Sequence, residues 1–552
     1  MTATSLRRAL SPLIAALALT VATSAAAIEL PDGFREAIEQ GIANGRYQSV
    51  AVGLIDHDDR GEWQFGAVSP DGAKPLSADV YEIGSTTRTF TGLLLAQALL
   101  AGKFRLDTPL KNVFGEVRFA DPRLASATIG QIAAHRAGLP PIPSNLFPRN
   151  VDNPYVEYDA TALLAYLAHA QLDKDVGKYR YSDLGVALLG EAIARAYKKD
   201  YPNLLAAEVL APLALTHSGF GSVPRLLDGY REGQTATHWQ FQTLSAASGL
   251  RASLSDLMRF AAAQLKPDSS PLRAGILLAR EPRALAGGGE TALAWQIVPV
   301  ASDGQNWPLL WQAGITGGFA SFIGLRTDRQ RAIVLLGNAG IDLSALGLTL
   351  LADRRAPTPP PKLQPLIAPA TLAYEGLYRF DMGGDLVVRS TADGLAAQVS
   401  GLLPQTMSAY DEDAFELAGE TSQLTFQREQ TKIIGATLHR NGTHLRATRL
   451  SEGAPALKRN TSASHTEDLA RYAGDYSLSP SVRAHVVVAT PGLRAQLTGT
   501  APIFVQLCAV DRFCDADGTL EIGFARDGAG KKIGALDWRQ GVFEAGGTRD
   551  DW

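Results

Sequence analysis

Between residue 28 and about residue 351, the apolar positions switch between two spacings. Segments 93–100 and 184–197 repeat their apolar residues every three or four positions, which predicts helices. Segments 293–298 and 332–336 are short apolar runs and predict strands. Helices and strands interleaved over this length predict one α/β domain with a sheet covered by helices. The pattern then breaks at 353–365, where Pro357, Pro359, Pro360, Pro361 and Pro365 predict a stiff, extended linker. Beyond it the spacing falls to two. Runs such as 386–388 and 484–488 are separated by Gly and Asp turns, as in antiparallel sheets or small barrels.

The second region is written twice. Tyr374-x-Gly376-x-Tyr378 recurs as Tyr472-x-Gly474-x-Tyr476, and Phe415 and Phe426 recur as Phe513 and Phe524. Ile434-Gly435-Ala436 is matched by Ile533-Gly534-Ala535, so the landmarks keep an offset of 98 or 99 residues. The repeated aromatics predict barrel packing rather than a binding box. The expected division is a 1–27 signal peptide, a 28–352 domain of enzyme size, a 353–367 linker, a 368–450 first barrel, a 451–465 linker and a 466–552 second barrel.

The signal peptide rests on Arg7 and Arg8, the apolar run at 10–21, and Ala25-Ala26-Ala27 before the cut. That run is too short for a comfortable membrane span, which predicts a periplasmic or secreted protein with no transmembrane anchor. The net charge of −4 and the absence of a basic tail give no footprint for nucleic acid. Cys508 and Cys514 are the two cysteines, and in an oxidising compartment a bridge and two buried thiols are both open. The nine His are scattered without ligand spacing, so no metal is expected. Nothing in the sequence decides the oligomeric state.

Candidate chemistry centres on Tyr81-Glu82-Ile83-Gly84-Ser85-Thr86-Thr87-Arg88-Thr89-Phe90. At a helix start, Ser85 would lie near unpaired backbone N–H groups, with Arg88 one turn later. Taken alone, Ser-x-x-Arg in this setting is more often an N-cap than a nucleophile. The chain has no Gly-x-Ser-x-Gly elbow, no complete phosphate loop and no His-Glu-x-x-His.

The segment resembles the first motif, Ser-x-x-Lys, of the serine β-lactamase, penicillin-binding and D-aminopeptidase superfamily. Further segments agree in order: the loop 129–140, Tyr181-Ser182-Asp183 at the place of Tyr-x-Asn, Ser248-Gly249-Leu250 through Asp256 at the place of a later helix, and Trp311-Gln312-Ala313-Gly314-Ile315-Thr316-Gly317-Gly318-Phe319 at the place of the Lys-Thr-Gly or His-x-Gly strand. The resemblance covers nearly all of 30–350. It implies a β-lactamase-like domain, an antiparallel sheet flanked by helices with a helical insertion carrying Tyr181, followed by two antiparallel, lipocalin-like β-barrels. It also implies a serine hydrolase that needs no metal or organic cofactor. Small peptides, D-amino-acid derivatives and simple esters are its implied substrates.

Three positions depart from the family pattern. Arg88 stands where the family has Lys. Deprotonating a Lys at neutral pH costs roughly 4–5 kcal/mol, whereas an Arg costs roughly 9. Arg88 is therefore no proton acceptor, and Tyr181 becomes the expected base, with Arg88 a fixed cation beside it. The backbone N–H groups of Ser85 and Ile315 are the expected oxyanion hole. Asp183 replaces an amide and can compensate Arg88. Gln312 replaces a cation or imidazole, which disfavours substrates bearing a carboxylate. Asp183, Gln312, Gly314 and Thr316 are the expected substrate contacts. His135 is expected to pack a loop, and Trp311 and Phe319 to be wall or core. The alternative is a cell-envelope protein that binds peptides or peptidoglycan fragments without cleaving them. A third reading gives the barrels an apolar ligand, which barrel interiors filled by their own side chains would remove.

Overall fold

The computed structural model describes residues 28–172, 176–231, 233–284, 290–302, 305–352, 371–381, 385–391, 394–399, 404–417, 422–440, 443–453, 469–516, 518–527 and 532–550. The expected signal peptide, the Pro-rich linker and most of the segment between the barrels lie outside these residues.

The first domain is built on one sheet of eight strands, all neighbours antiparallel. Its spatial order is Asp59–Gly66, Ser49–Asp56, Arg331–Gly337, Ala320–Arg326, Gln305–Ile315, Gln296–Ser302, Glu290–Thr291 and Arg283–Ala284. Strands from the start and the end of the domain thus pair side by side, second and third in that order. Alternation along these strands divides the apolar residues between two cores. Ala51, Ile55, Ile323, Val334 and Leu336 join the large core beneath the helices. Val50, Val52, Phe322, Ile333 and Leu335 join a smaller one on the opposite face, with Phe34 and Leu346.

The helix Thr87–Leu100 is apolar around most of its circumference and buried from Thr87 to Ala96, as expected of a central helix. Within it Phe90 stacks on Phe260, ring centres 4.0 Å apart. Helices dominate the regular structure between the edge strand and Gln296 and include Asp183–Tyr197, so Tyr181 precedes a helix of the insertion as expected. One strand starts later than the spacing predicts. Leu293 and Trp295 are buried, but Ala294 has φ 62°, a left-handed conformation that no strand accommodates, and pairing with the neighbouring long strand begins at Gln296.

Each repeat closes into a barrel of eight antiparallel strands, running Gly376–Phe380 to Thr443–Glu452 and Gly474–Ser479 to Phe543–Asp550. The first barrel thus extends slightly past its expected end at 450. Tyr374, Phe415 and Phe426 meet in its interior, and Tyr378 stacks edge-on against Phe426 at 5.7 Å. Tyr472, Phe513, Phe524 and Tyr476 reproduce that arrangement in the second barrel. These rings and their aliphatic neighbours occupy the positions that would line a lumen, which removes the apolar-carrier reading.

The third landmark of the repeat is out of register by one. The buried partners are Ile433, paired with Arg428, and Ile533, paired with Arg526, while Ile434 is 44% exposed. A β-bulge turns Ile434 and Gly534 out of the ladder, so the apparent Ile-Gly-Ala match compares a bulged residue with a buried one. Cys508 and Cys514 are joined in a disulfide across a hairpin of the second barrel.

Candidate active site

The short strand Val80–Glu82 delivers the chain to a 3-10 turn, Gly84–Thr86, which runs into the helix Thr87–Leu100. Glu82 is buried behind the turn and pairs with Arg251 at 3.0 Å and His238 at 3.1 Å. Gly84 sits at φ 47°, in the left-handed region, and a Cβ there would lie 2.8 Å from the nitrogen of Ile315. Gly314 meets the turn from the other side: its Cβ would lie 2.6 Å from the nitrogen of Ser85. Two glycines therefore let the end of the strand Gln305–Ile315 press directly on the serine turn. Thr86 and Ser321 fasten the contact, their hydroxyls 2.8 Å apart, while Ser321 donates to the carbonyl of Ile83.

Ser85 does not cap the helix. Its Oγ lies 3.5 Å from that of Ser248, its hydrogen-bond partner among the described residues, and no hydrogen bond links it to Tyr181 or Arg88. Ser248 ends the short helix Ser245–Ser248, and this segment is held against the serine helix by the Leu250 N–H, which donates to Thr87 Oγ1 at 3.1 Å. Sequence reasoning placed Ser248 in a later helix and did not single it out. Its position depends on a contact across the fold that no local pattern announces.

The second motif forms the facing wall. Ser182 is the N-cap of the helix Asp183–Tyr197, accepting from the Gly185 N–H at 2.9 Å while its own hydroxyl donates to Pro140 at 2.6 Å. The Asp183 N–H donates to Pro141 at 2.8 Å. Arg88, fully buried, forms an ion pair with the Asp183 carboxylate through Nη2, and its guanidinium carbon lies 4.0 Å from the centre of the Tyr181 ring. Arg88 is thus turned toward Asp183 and the ring of Tyr181. Burial pulls the Arg88 pKa down, and Tyr181, Tyr179 and Tyr155 act against that shift. A guanidinium starts so high that Arg88 stays cationic at neutral pH.

His135 lies behind Tyr181, ring centres 5.1 Å apart, and its Nδ1 accepts the Ser182 N–H at 3.2 Å. Burial, and secondarily Arg88, push its pKa down to about 3. It is therefore a neutral acceptor that holds the motif's backbone.

On the strand, Gln312 is buried and its Oε1 accepts from Gln296 at 2.7 Å. The site thus presents an amide engaged with a neighbour where the family has a cation. Thr316 is buried, its N–H donating to Phe319 at 2.9 Å, and its hydroxyl has no hydrogen-bond partner among the described residues. Trp311 packs on the far face of the sheet against Phe322, and Phe319 packs beside Tyr81 and His238. The structure therefore brings Ser85 to Gly314 and Ile315, and Arg88 to Tyr181 and Asp183. A recess of about 570 Å³ lies elsewhere, between residues near Asn145–Ala162 and the second barrel, and none of the candidate catalytic residues lines it.

A serine at the start of a buried helix, facing a Tyr-Ser-Asp turn and a glycine-bearing strand of an antiparallel sheet, defines a β-lactamase-like serine hydrolase domain. Residues 34–354 match the Beta-lactamase family model, and the chain belongs to that family. It is 23% identical over 326 residues to a beta-lactamase of Pseudomonas fluorescens, covering 52% of this chain and 88% of that one. A beta-lactamase of Escherichia coli is 24% identical over 364 residues, covering 59% and 93%. Among solved structures, a class C beta-lactamase from Rhodobacter sphaeroides matches with a TM-score of 0.50 at 20% identity, covering 56% of this chain and 95% of that chain, a likeness of fold.

Proposed function

We propose that the chain is an exported serine hydrolase that forms an acyl ester on Ser85 and acts on neutral esters or amides. The observation that carries this reading is the Gly84–Gly314 contact, because it sets the N–H groups of Ser85 and Ile315 on touching segments beside the serine. A carbonyl oxygen held by those two donors exposes its carbon to Ser85 Oγ. Tyr181, as general base, takes the hydroxyl proton as the Oγ–C bond forms. It returns the proton to the leaving oxygen or nitrogen as that bond breaks. Water then attacks the acyl ester, giving its proton to Tyr181, and the acid leaves as Ser85 is restored. Arg88 contributes a fixed positive charge against the Tyr181 ring, and Asp183 anchors Arg88.

The substrate preference follows from charge. Gln312 brings no cation, and Arg88 is already compensated by Asp183, so a substrate carboxylate would find no partner at either position. Neutral small esters, amides and capped peptides fit this site better than penicillins. Export follows from the features of residues 1–27. The same ion pair favours a second reading, a cleft frozen by Arg88–Asp183 that binds envelope peptides or peptidoglycan fragments without turnover.

Intact-protein mass spectrometry separates the two. A fluorophosphonate should add to the mature protein, Ser85→Ala should abolish the adduct, and Tyr181→Phe should slow its formation by roughly 10²–10⁴-fold. Penicillin should react far more slowly. A folded protein with no adduct from either reagent would establish the binding reading.

A further inference from the structure

The recess between the hydrolase domain and the second barrel has two walls of different origin. One is the loop from Asn145 to Arg149, with Pro154, Glu157 and the start of the helix Ala160–His169. The other is the outer face of the barrel strands Val482–Ala489 and Gly492–Leu497. At about 570 Å³ the recess has the size of a pocket for a small molecule.

The neutral polar groups around it already have partners. Asn145 donates to the Ala162 carbonyl at 2.8 Å and accepts from the Tyr158 hydroxyl at 2.9 Å. Gln496 donates to the Pro148 carbonyl at 2.8 Å, and His485 pairs with Asp475 at 2.6 Å. The guanidiniums differ. Arg494, exposed on the barrel, has no hydrogen bond or ion pair among the described residues. Arg149, from the hydrolase domain, has Glu157 as its ion-pair partner, 3.6 Å away and half exposed. Two guanidiniums against one carboxylate leave the recess one positive charge in excess, which favours a singly charged anion.

The barrel wall is also more apolar than an outer face needs to be. Arg494 stands opposite Val487 on one neighbouring strand and Phe504 on the other, and these are 38% and 41% exposed. Directly opposite residues share a face, so an unpaired cation is flanked on both sides by exposed apolar side chains. Solvent-facing strand positions are ordinarily polar, and this stripe breaks that alternation.

We infer that the recess binds a small organic monoanion, a carboxylate carried on an aromatic or branched apolar body. The carboxylate sits between Arg149 and Arg494, and the body lies against Val487 and Pro154. Guanidinium is suited to this, since it binds carboxylate through paired N–H donors. Because the two cations come from different domains, the ligand also joins the barrel to the loop at Pro148. The inference does not depend on Ser85 as a nucleophile.

Calorimetric titration of 3-phenylpropanoate into the full chain reads the site directly. Binding should be saturable, and Arg149→Gln and Arg494→Gln should each weaken it at least roughly tenfold. The amide 3-phenylpropanamide keeps the body without the charge and should bind at least roughly tenfold more weakly than the acid. Acetate, which lacks the body, should show no saturable binding. Val487→Glu places a carboxylate beside Arg494 and should abolish binding. Both arginines and Val487 are exposed, so these variants leave the cores intact. Ser85→Ala should bind as the wild type does, which separates this site from the catalytic cleft. Absence of saturable binding, or equal binding of acid and amide, would overturn the site. Loss with one arginine variant but not the other would place the anion on a single domain and overturn it too. An effect of Ser85→Ala as large as that of Arg494→Gln would do the same by moving the ligand to the cleft.

Discussion

The first barrel and the second are alike inside and unlike outside. In both, the ring pairs recur at nearly the same distances: Tyr374–Phe415 and Tyr472–Phe513 at 4.9 Å, Phe415–Phe426 at 5.5 Å and Phe513–Phe524 at 5.7 Å. The buried Tyr378 hydroxyl donates to Tyr374 and that of Tyr476 to Tyr472, while Arg449 and Arg549 lie over the two rings. Outside, the hairpin position that carries Cys508 and Cys514 in the second barrel carries Tyr410 and Glu416 in the first, and Glu416 instead pairs with Arg46 of the hydrolase domain. The second barrel grips the backbone of a loop: Gly499 N–H donates to Leu146, Thr498 to Ser144 and Gln496 to Pro148, with His485 stacked on Phe147. That loop continues back to Pro140 and Pro141, whose carbonyls hold Ser182 and Asp183. Packing demands kept the interior of each copy, while the surfaces were free to differ. Among the described residues, it is the second barrel whose docking contacts fall on the loop that holds the Tyr-Ser-Asp turn.

The largest effects should be equal in the two copies. Tyr378→Ala and Tyr476→Ala each remove a buried ring and should each cost about 3–5 kcal/mol in the barrel that holds it. Hydrogen exchange on the full chain reads each barrel separately. Costs differing by more than about 2 kcal/mol would break the claim of equivalent interiors.

That equivalence was readable in the sequence because Tyr374, Tyr378, Phe415 and Phe426 recur at a constant offset, and the helices 87–100 and 183–197 were readable because their apolar spacing is local. The bulge at Ile434 was not, since it changes which residue faces inward without changing the composition. Ser85, Tyr181 and Ile315 could be named from motif order. The turn of Arg88 toward Asp183 and the contact of Ser85 with Ser248 depend on segments tens of residues apart. No spacing rule reaches across that distance.

Acid should sharpen the contrast by loosening the motif that the second barrel braces. The folded pKa of His135 is pushed down to about 3, whereas an unfolded His takes a proton near 6.5. Below that value the unfolded state binds the extra proton, so stability present at neutral pH is lost at about 1.4 kcal/mol per pH unit. The loss reaches about 3 kcal/mol at pH 4, because burial, and secondarily Arg88, keep the folded imidazole neutral while the unfolded one takes the proton. His135→Asn keeps an acceptor and tolerates the left-handed backbone at φ 54°, so its stability between pH 6.5 and 4 should fall less steeply than that of the wild type. Matching slopes in urea titrations of the two proteins would remove His135 as the acid-sensitive group.

The smallest effects decide whether the outside difference matters to the chemistry. Thr498→Val deletes the donor to Ser144 at 2.6 Å and Gln496→Leu the donor to Pro148 at 2.8 Å, each worth about 1 kcal/mol. Glu416→Gln weakens the ion pair of the first barrel with Arg46, worth about 0–1 kcal/mol. On stability alone the two barrels would be hard to tell apart. The rate of Ser85 modification by a fluorophosphonate separates them, because misplacing a catalytic group by 1 Å can cost about a hundredfold. Loosening the loop at Ser144 and Pro148 should slow the adduct by about 3–10-fold, with Thr498→Ser restoring it, while Glu416→Gln leaves the rate unchanged. A merely structural contact would lower stability without moving the rate. If Thr498→Val and Glu416→Gln behave alike, the second barrel is a passenger on the loop, and Tyr181 is positioned by His135, Pro140 and Pro141 within the hydrolase domain.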